Sequence, residues 1–454
     1  MKLLFTLAAF ALALGLLIVF HELGHYWVAR LCGVKVLRFS VGFGKPLWKR
    51  RFGNDDTEWV LAAFPFGGYV KMLDEHEGEV APKDIPRAFN RQPVYRRFAI
   101  VLAGPLANFL LAILLYWALF VHGVPGVKPV IGPVTAATPA AFAGFKAEET
   151  IININGEATA TWQDVRWILL QQAVQKSVVN IEVSNPRGEI AWHKLDLSGL
   201  TASDLDGDFM KVVGLSRYQP QVEPVIGQLV AGGPGERGGL QPDDEIVAIN
   251  NERVTHWDDV VQKVRSHPSH NLEFEIKRGK QRLSFTLTPE TVQDNGEKIG
   301  RIGAAPKIDR AALQRLLTEV RYPFGPALSK ALEKTWETSV FSLKMLGKML
   351  VGEISLKNVS GPITIADYAG QSAQIGWVAY LNFLALISIS LGVLNLLPVP
   401  LLDGGHLMYY LVEIIKGKPV SDKTLQIGQH VGIALLFILM AFAIYNDINR
   451  LITG

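Results

Sequence analysis

Residues 3–25 read LLFTLAAFALALGLLIVF followed directly by HELGH, and what joins at Phe20–His21 governs everything else in this chain. The first eighteen positions carry no charge. At ~1.5 Å per helical residue they cover most of a ~30 Å hydrocarbon layer. Lys2 before an apolar run also suits a cleaved signal peptide, but the run exceeds the usual ~7–15 residues and no small-residue cleavage site follows. It therefore reads as an uncleaved span that carries its helix on into His21-Glu22-Leu23-Gly24-His25. Residues four apart share a helix face, so His21 and His25 can reach one ion, with Glu22 beside that face.

In a soluble chain an HExxH is a weak signal. Ionisable side chains at the end of a membrane helix are costly and are kept for function. The bland alternative is an interfacial cluster of polar residues. Zinc asks for a third protein ligand and an open fourth position, yet no Gly-x-x-His continuation follows His25.

Three more uncharged blocks lie downstream: Phe98 to Val121, Ile375 to Leu402, and a weaker one from Ile427 to Tyr445. Arg30, Lys35, Arg38, Lys45, Lys49, Arg50, Arg51, Arg87, Arg91, Arg96 and Arg97 crowd the segment between the first two. Excess Lys and Arg mark the cytoplasmic side, so 31–97 is expected inside, 122–374 outside, and both termini outside. The third block ends Asn395-Leu-Leu-Pro398-Val-Pro400-Leu-Leu-Asp403-Gly404-Gly405-His406. Two prolines break helical hydrogen bonding there, so the backbone must face protein or a wet cavity. Asp403 then falls at the level of His21 and His25, which makes it the best candidate for the third ligand. His406 and His430 read as structural.

The 454 residues carry 45 Lys+Arg against 42 Asp+Glu, a net of +3. That balance offers no concentrated basic patch for nucleic acid. A single cysteine, Cys32, excludes an intrachain disulfide framework. Ordinary charge content argues against disorder, and the mean hydropathy of +0.21 comes from the apolar blocks.

The external segment repeats itself at a fixed offset of 95 residues. Pro129-Val-Ile-Gly132 recurs as Pro224-Val-Ile-Gly227, Gly144 as Gly239, Ile151-Ile-Asn-Ile-Asn155 as Ile246-Val-Ala-Ile-Asn250, and Trp162-x-Asp-Val165 as Trp257-x-Asp-Val260. Two copies of one module follow, at 127–219 and 220–308. Gly239-Leu-x-Pro-x-Asp-x-Ile246 with Asn250 resembles the PDZ signature in its bacterial periplasmic form; Ala147 and Glu148 depart from it in the first copy. Such modules capture extended chain ends by strand addition, or here merely occlude.

Within the cytoplasmic segment, Trp59-Val-Leu-Ala-Ala-Phe-Pro-Phe-Gly-Gly-Tyr-Val-Lys-Met72 reads as a β-hairpin over about 58–73, turning at Pro65-Phe66-Gly67-Gly68, with Gly42-Phe43-Gly44 as a neighbouring sheet element. Gly104-Pro105-Leu-Ala-Asn108 permits close packing, and Asn108 is placed to hydrogen-bond toward the histidines. Residues 322–350 read as an amphipathic interfacial helix, and Asn358 to Ser372 as a loop re-entering the membrane.

HExxH in one span with N-x-x-P-x-P-x-x-D-G in a later one resembles the site-2 protease family of intramembrane zinc metalloproteases, and the resemblance covers essentially the whole chain. It implies a polytopic α-helical membrane protein with four spans (1–30, 98–121, 375–402 and 427–446), a membrane-re-entrant hairpin and two periplasmic α+β PDZ modules. It implies one Zn2+ per chain on His21, His25 and Asp403, Glu22 as catalytic base, and Asn395 in substrate positioning or oxyanion stabilisation. It further implies strand addition of substrate at Phe66, Gly67, Gly68 and Tyr69. The setting it implies is the bacterial inner membrane. The substrates it implies are an anti-sigma factor already trimmed by a first protease and remnant signal peptides, with the PDZ modules excluding bulky external domains. A non-catalytic PDZ scaffold is the competing reading. A transporter is disfavoured because the span pairs show no inverted hydropathy repeat.

Overall fold

The computed structural model describes residues 2–453 except 77, 202–203, 206–207, 221, 295–296, 308–309 and 355–359. Among these, four helices are long and apolar enough to cross a membrane. They are α1 (Lys2–Leu31), α2 (Val94–His122), α7 (Trp377–Leu396) and α9 (Asp422–Thr453). The apolar block expected as one span over 375–402 is divided. Ile375 closes a separate helix, α6 (Pro362–Ile375), the chain breaks at Gly376 with φ +142°, and α7 stops at Leu396 before the prolines. Asp403 then opens α8 (Asp403–Lys416).

Helix α6 replaces the loop expected over 358–372, of which Asn358 and Val359 lie outside the described residues. Its N-terminal amides find a partner within the protein. The Asp447 carboxylate of α9 accepts from the backbone of Gly361, Ile363 and Thr364 and from the Thr364 hydroxyl. An acceptor on the free N–H groups at a helix start satisfies donors that otherwise have none.

The 36–72 segment departs most from expectation. Residues 58–72 do not fold back on each other as a hairpin. They belong to one strand, β2 (Thr57–Met72), which pairs antiparallel with β1 (Val36–Phe52) around a turn at 53–56. The ribbon is itself bent. Val41 faces Gly68, Phe52 faces Thr57, and Arg38 to Val41 also run alongside Glu58 to Leu61 with both stretches advancing together. The bend in β1 falls at Gly42 and Gly44, both with positive φ. The Pro-Phe-Gly-Gly stretch is thus the bend of a folded ribbon. Val36 and Phe39 of β1 pack the ribbon against Tyr26 and Ala29 of α1 and Ile100 of α2, with Val34 in the same cluster.

The two repeated modules share one topology. The strands Thr150–Ile154, Glu157–Ala158, Val178–Ser184 and Ile190–Asp196 form a four-stranded sheet. So do Glu245–Ile249, Glu252–Arg253, Leu272–Arg278 and Gln281–Leu287, in the same order. Each packs one main helix, α3 (Trp162–Val174) or α4 (Trp257–Arg265), onto its own apolar core. The ends of the insert meet in a ribbon between Val124–Val127 and Leu317–Val320.

Helix α5 (Phe324–Leu350) spans the expected amphipathic segment, but its small-residue face is the buried one. Ala331 packs with Ala112, Tyr116 and Leu119 of α2 and with Ala385 and Ile389 of α7, while Trp336 and Leu343 stay exposed. The first module rests on the same helix, with Lys334 Nζ 4.4 Å over the Trp167 ring and Phe341 edge-on to it. Burial there pushes the Lys334 ammonium below its ordinary pKa.

Candidate metal centre

Helices α1 and α2 cross closely, and their contact builds the centre. His21 and His25 stand four apart on one face of α1, which brings their Nε2 atoms to 3.2 Å. The 397–402 loop delivers Asp403, whose Oδ2 lies 3.2 Å from His21 Nε2 and 3.6 Å from His25 Nε2. The three side chains are the described group whose donor atoms can share one ion. The expectation drawn from span level and prolines is thus matched by position, across some 380 residues of chain.

The donors suit zinc. His25 Nδ1 donates to the Ile100 carbonyl at 2.8 Å, since a carbonyl only accepts, and this leaves Nε2 with a bare lone pair. Asp403 Oδ2 is buried without a hydrogen-bond partner. A buried bare acceptor costs free energy unless something positive meets it. Atoms bound ~2.0–2.1 Å from one tetrahedral ion stand roughly 3.3 Å apart, close to the spacing seen here.

Each residue has a structural reason to be where it is. The Arg97 guanidinium of α2 donates to Glu413 at 2.6 Å and lies over Tyr410, which pins α8 and hence its first residue, Asp403. The strained loop before it holds Leu401 at φ +85°, a conformation that costs a branched residue on the order of 1–3 kcal/mol. Glu22 is buried, with His25, His21 and Asp403 as the charged groups around it. Gly68 of β2 passes directly against it, where a Cβ would come within 2.8 Å of Glu22 Cγ. Tyr69 pairs with Ser40, and Phe66 and Gly67 lie in the same strand. Glu58 to Leu61 of this strand pair with β1 on both sides, whereas Gly68 to Val70 pair with it on one side and have no strand on the other among the described residues. Asn395 sits half-buried in the last turn of α7 and is not among the donors that close on one point.

Sequence reasoning missed the Ile100 carbonyl and the Arg97–Glu413 pair. The four-residue spacing of Ile100, Gly104 and Asn108 is the signal that would have found a single face of α2. At Gly104 an added Cβ would lie 2.3 Å from His25 Nε2 and 2.8 Å from His21 Cε1. Both rings would have to shift, and a misplacement of about 1 Å costs on the order of 10²-fold in rate. Gly104→Ala is expected to lower zinc content while the protein still assembles in membranes. Parental zinc content in that variant would mean the rings have slack.

Comparison with known proteins finds relatives along the whole chain. The model of Peptidase family M50 matches residues 9–439. The chain is 42% identical over 456 residues to the regulator of sigma-E protease RseP of Salmonella typhimurium, covering 99% of this chain and 100% of that protein. It is 42% identical over 451 residues to the protein of the same name in Escherichia coli K12, covering 99% of each. It is 41% identical over 452 residues to a putative zinc metalloprotease of Vibrio cholerae, again with 99% of each covered.

Proposed function

The chain belongs to peptidase family M50, the site-2 protease family, and is a zinc metalloprotease; on that premise we propose that it cuts single-span membrane proteins within the bilayer. The observation that carries this is the meeting of two imidazoles on an apolar helix with a carboxylate from a distant, proline-broken loop. His21, His25 and Asp403 would hold the zinc. When bound there, the ion supplies a Lewis acid that polarises the scissile carbonyl and acidifies water.

The remaining work belongs to side chains. The Glu22 carboxylate takes a proton from the attacking water and passes one to the leaving amine nitrogen. The Asn395 amide, at the end of α7, donates to the developing oxyanion, a contact typically worth ~3 kcal/mol. A transmembrane helix hides its peptide bonds in its own ladder, so the substrate must unwind and find backbone partners. The edge of β2 turned away from β1 at Gly68 to Val70 offers them beside Glu22, which supports strand addition there and a membrane-re-entrant role for the ribbon.

The basic residues of 31–97 put the reactive groups near the cytoplasmic side of a bacterial inner membrane, with the insert and both termini in the periplasm. The repeated modules are PDZ domains that exclude substrates still carrying bulky external domains. Two relatives are named as regulators of sigma E, and the substrate class fitted to that role is an anti-sigma factor already trimmed outside, with remnant signal peptides as another. Because Val127 and Leu317 are paired neighbours, 128–316 can be exchanged for a short linker without parting the helices. In proteoliposomes that variant is expected to cleave both a trimmed single-span substrate and one bearing a folded external domain, whereas the parent cleaves only the first. Unaltered selectivity would remove the gating role.

A further inference from the structure

Helix α9 lies against the loop that delivers Asp403, and two glycines make the contact. A Cβ added at Gly432 would stand 2.7 Å from Pro400 Cβ and nearer still to the Pro400 carbonyl oxygen. One added at Gly428, a turn earlier, would fall on the Tyr409 hydroxyl. Pro400 precedes Asp403 by three residues and Tyr409 follows it by six, so one face of α9 touches the chain on both sides of the carboxylate. Gly432 is buried between exposed Val431 and Ile433. From Ile433 to Phe442 the helix is exposed or half-buried, until Ala443, Asn446 and Asp447 are buried again where α6 begins. The glycine contact is therefore not one stretch of a continuous helix seam. What α9 meets there is the proline-broken turn itself.

That turn needs support from outside. Pro398 and Pro400 deny it a helical ladder, and Leu401 stands at φ +85°. The Arg97 tie reaches α8 at Tyr410 and Glu413, seven and ten residues beyond Asp403, and so fixes the helix more than the turn before it. Asp403 Oδ2 is buried with no hydrogen-bond partner, so its place is set by the backbone around it. Resting on the reading of Asp403 as the third zinc ligand, we propose that Gly432 and Gly428 are positioning residues for it. Having no side chains, they let α9 close on Pro400 and Tyr409 and hold the turn at the depth where the carboxylate meets the two imidazoles. Glycine costs roughly 1 kcal/mol against alanine in a helix interior. Its use at a spacing of four inside a span is close approach of backbones. Metal–ligand bonds of ~2 Å leave little room for a turn that drifts.

The test reads zinc affinity of the full-length protein by chelator competition. Helix propensity alone would make Gly432→Ala the better-formed helix. It is expected instead to hold zinc roughly 10–100-fold more weakly, the range lost with a group behind a ligand. Gly428→Ala is expected to weaken zinc binding by less, since the atom it meets ends a side chain. Tyr409→Phe in that background removes the hydroxyl and leaves the new methyl 3.3 Å from the ring, so it is expected to restore the parental affinity. Ala434→Leu adds more bulk on the exposed side of α9 and is expected to change nothing. Parental affinity in both glycine variants would mean that α9 yields and the turn does not, which overturns the proposal. A loss in Gly428→Ala that Tyr409→Phe fails to restore, or an equal loss in Ala434→Leu, would reduce the glycines to general stability of the span and overturn it too. Should Gly432→Ala fail to fold, the Gly428 and Tyr409 pair decides alone. Zinc retained by Asp403→Ala would instead sink the ligand assignment beneath the proposal, a separate outcome.

Discussion

Glu22→Gln is expected to leave the protein folded and loaded with zinc while cleavage of a single-span substrate falls by at least ~10²–10⁴-fold, the range lost with a general acid–base group. The amide has the carboxylate's outline, so the tight passage of Gly68 alongside is undisturbed. What the amide lacks is a site to take a proton from water. Glu22 is not one of the three converging donors, so zinc content should not follow activity down. Metal analysis of the purified variant beside a cleavage assay in proteoliposomes checks both halves. Full activity would refute Glu22 as the base, and would favour a scaffold whose polar intramembrane residues are merely structural.

Asp403→Ala should behave in the opposite way, losing metal first and activity in consequence. Two imidazoles alone leave a zinc ion one protein ligand short of the three usual at a catalytic site. The loss is expected to exceed the ~10–100-fold that follows removal of a group behind a ligand. The helix that carries Asp403 should stay in place, because Arg97 holds it through Glu413 and Tyr410 rather than through the centre. Asp403→Asn should fall between, keeping an oxygen but not its charge. Unchanged zinc content in the alanine variant would move the third ligand elsewhere. The two substitutions form a pair: one separates metal from catalysis, the other ties them.

Much of the centre was legible because its chemistry is local in sequence. The imidazole spacing follows from helix periodicity, and the apolar context made an otherwise common motif informative. Asp403 was reachable from topology alone, since span level is a one-dimensional quantity that charge and hydropathy report. The Trp59 to Met72 stretch shows where such reading stops. Its alternating apolar residues announced strands, but both halves pair with β1 rather than with each other. Period-two patterning states that a segment is a strand and says nothing about its neighbour. Helix α7 (Trp377–Leu396) lies inside the 375–402 block, but hydropathy cannot see where it begins, at Gly376, where one residue with φ +142° ends one helix and starts another.

Composition and order of residues by themselves pointed to the four apolar helices, the repeated module and three metal-type side chains, because each depends on burial preference or on periodicity within a few turns of chain. Only the tertiary structure decided that β2 runs past Glu22, that one face of α2 backs both imidazoles, and that α5 buries its small residues and not its aromatic ones. Those are contacts between surfaces of similar chemistry, and shape complementarity chooses among them. Shape exists only once the chain has closed.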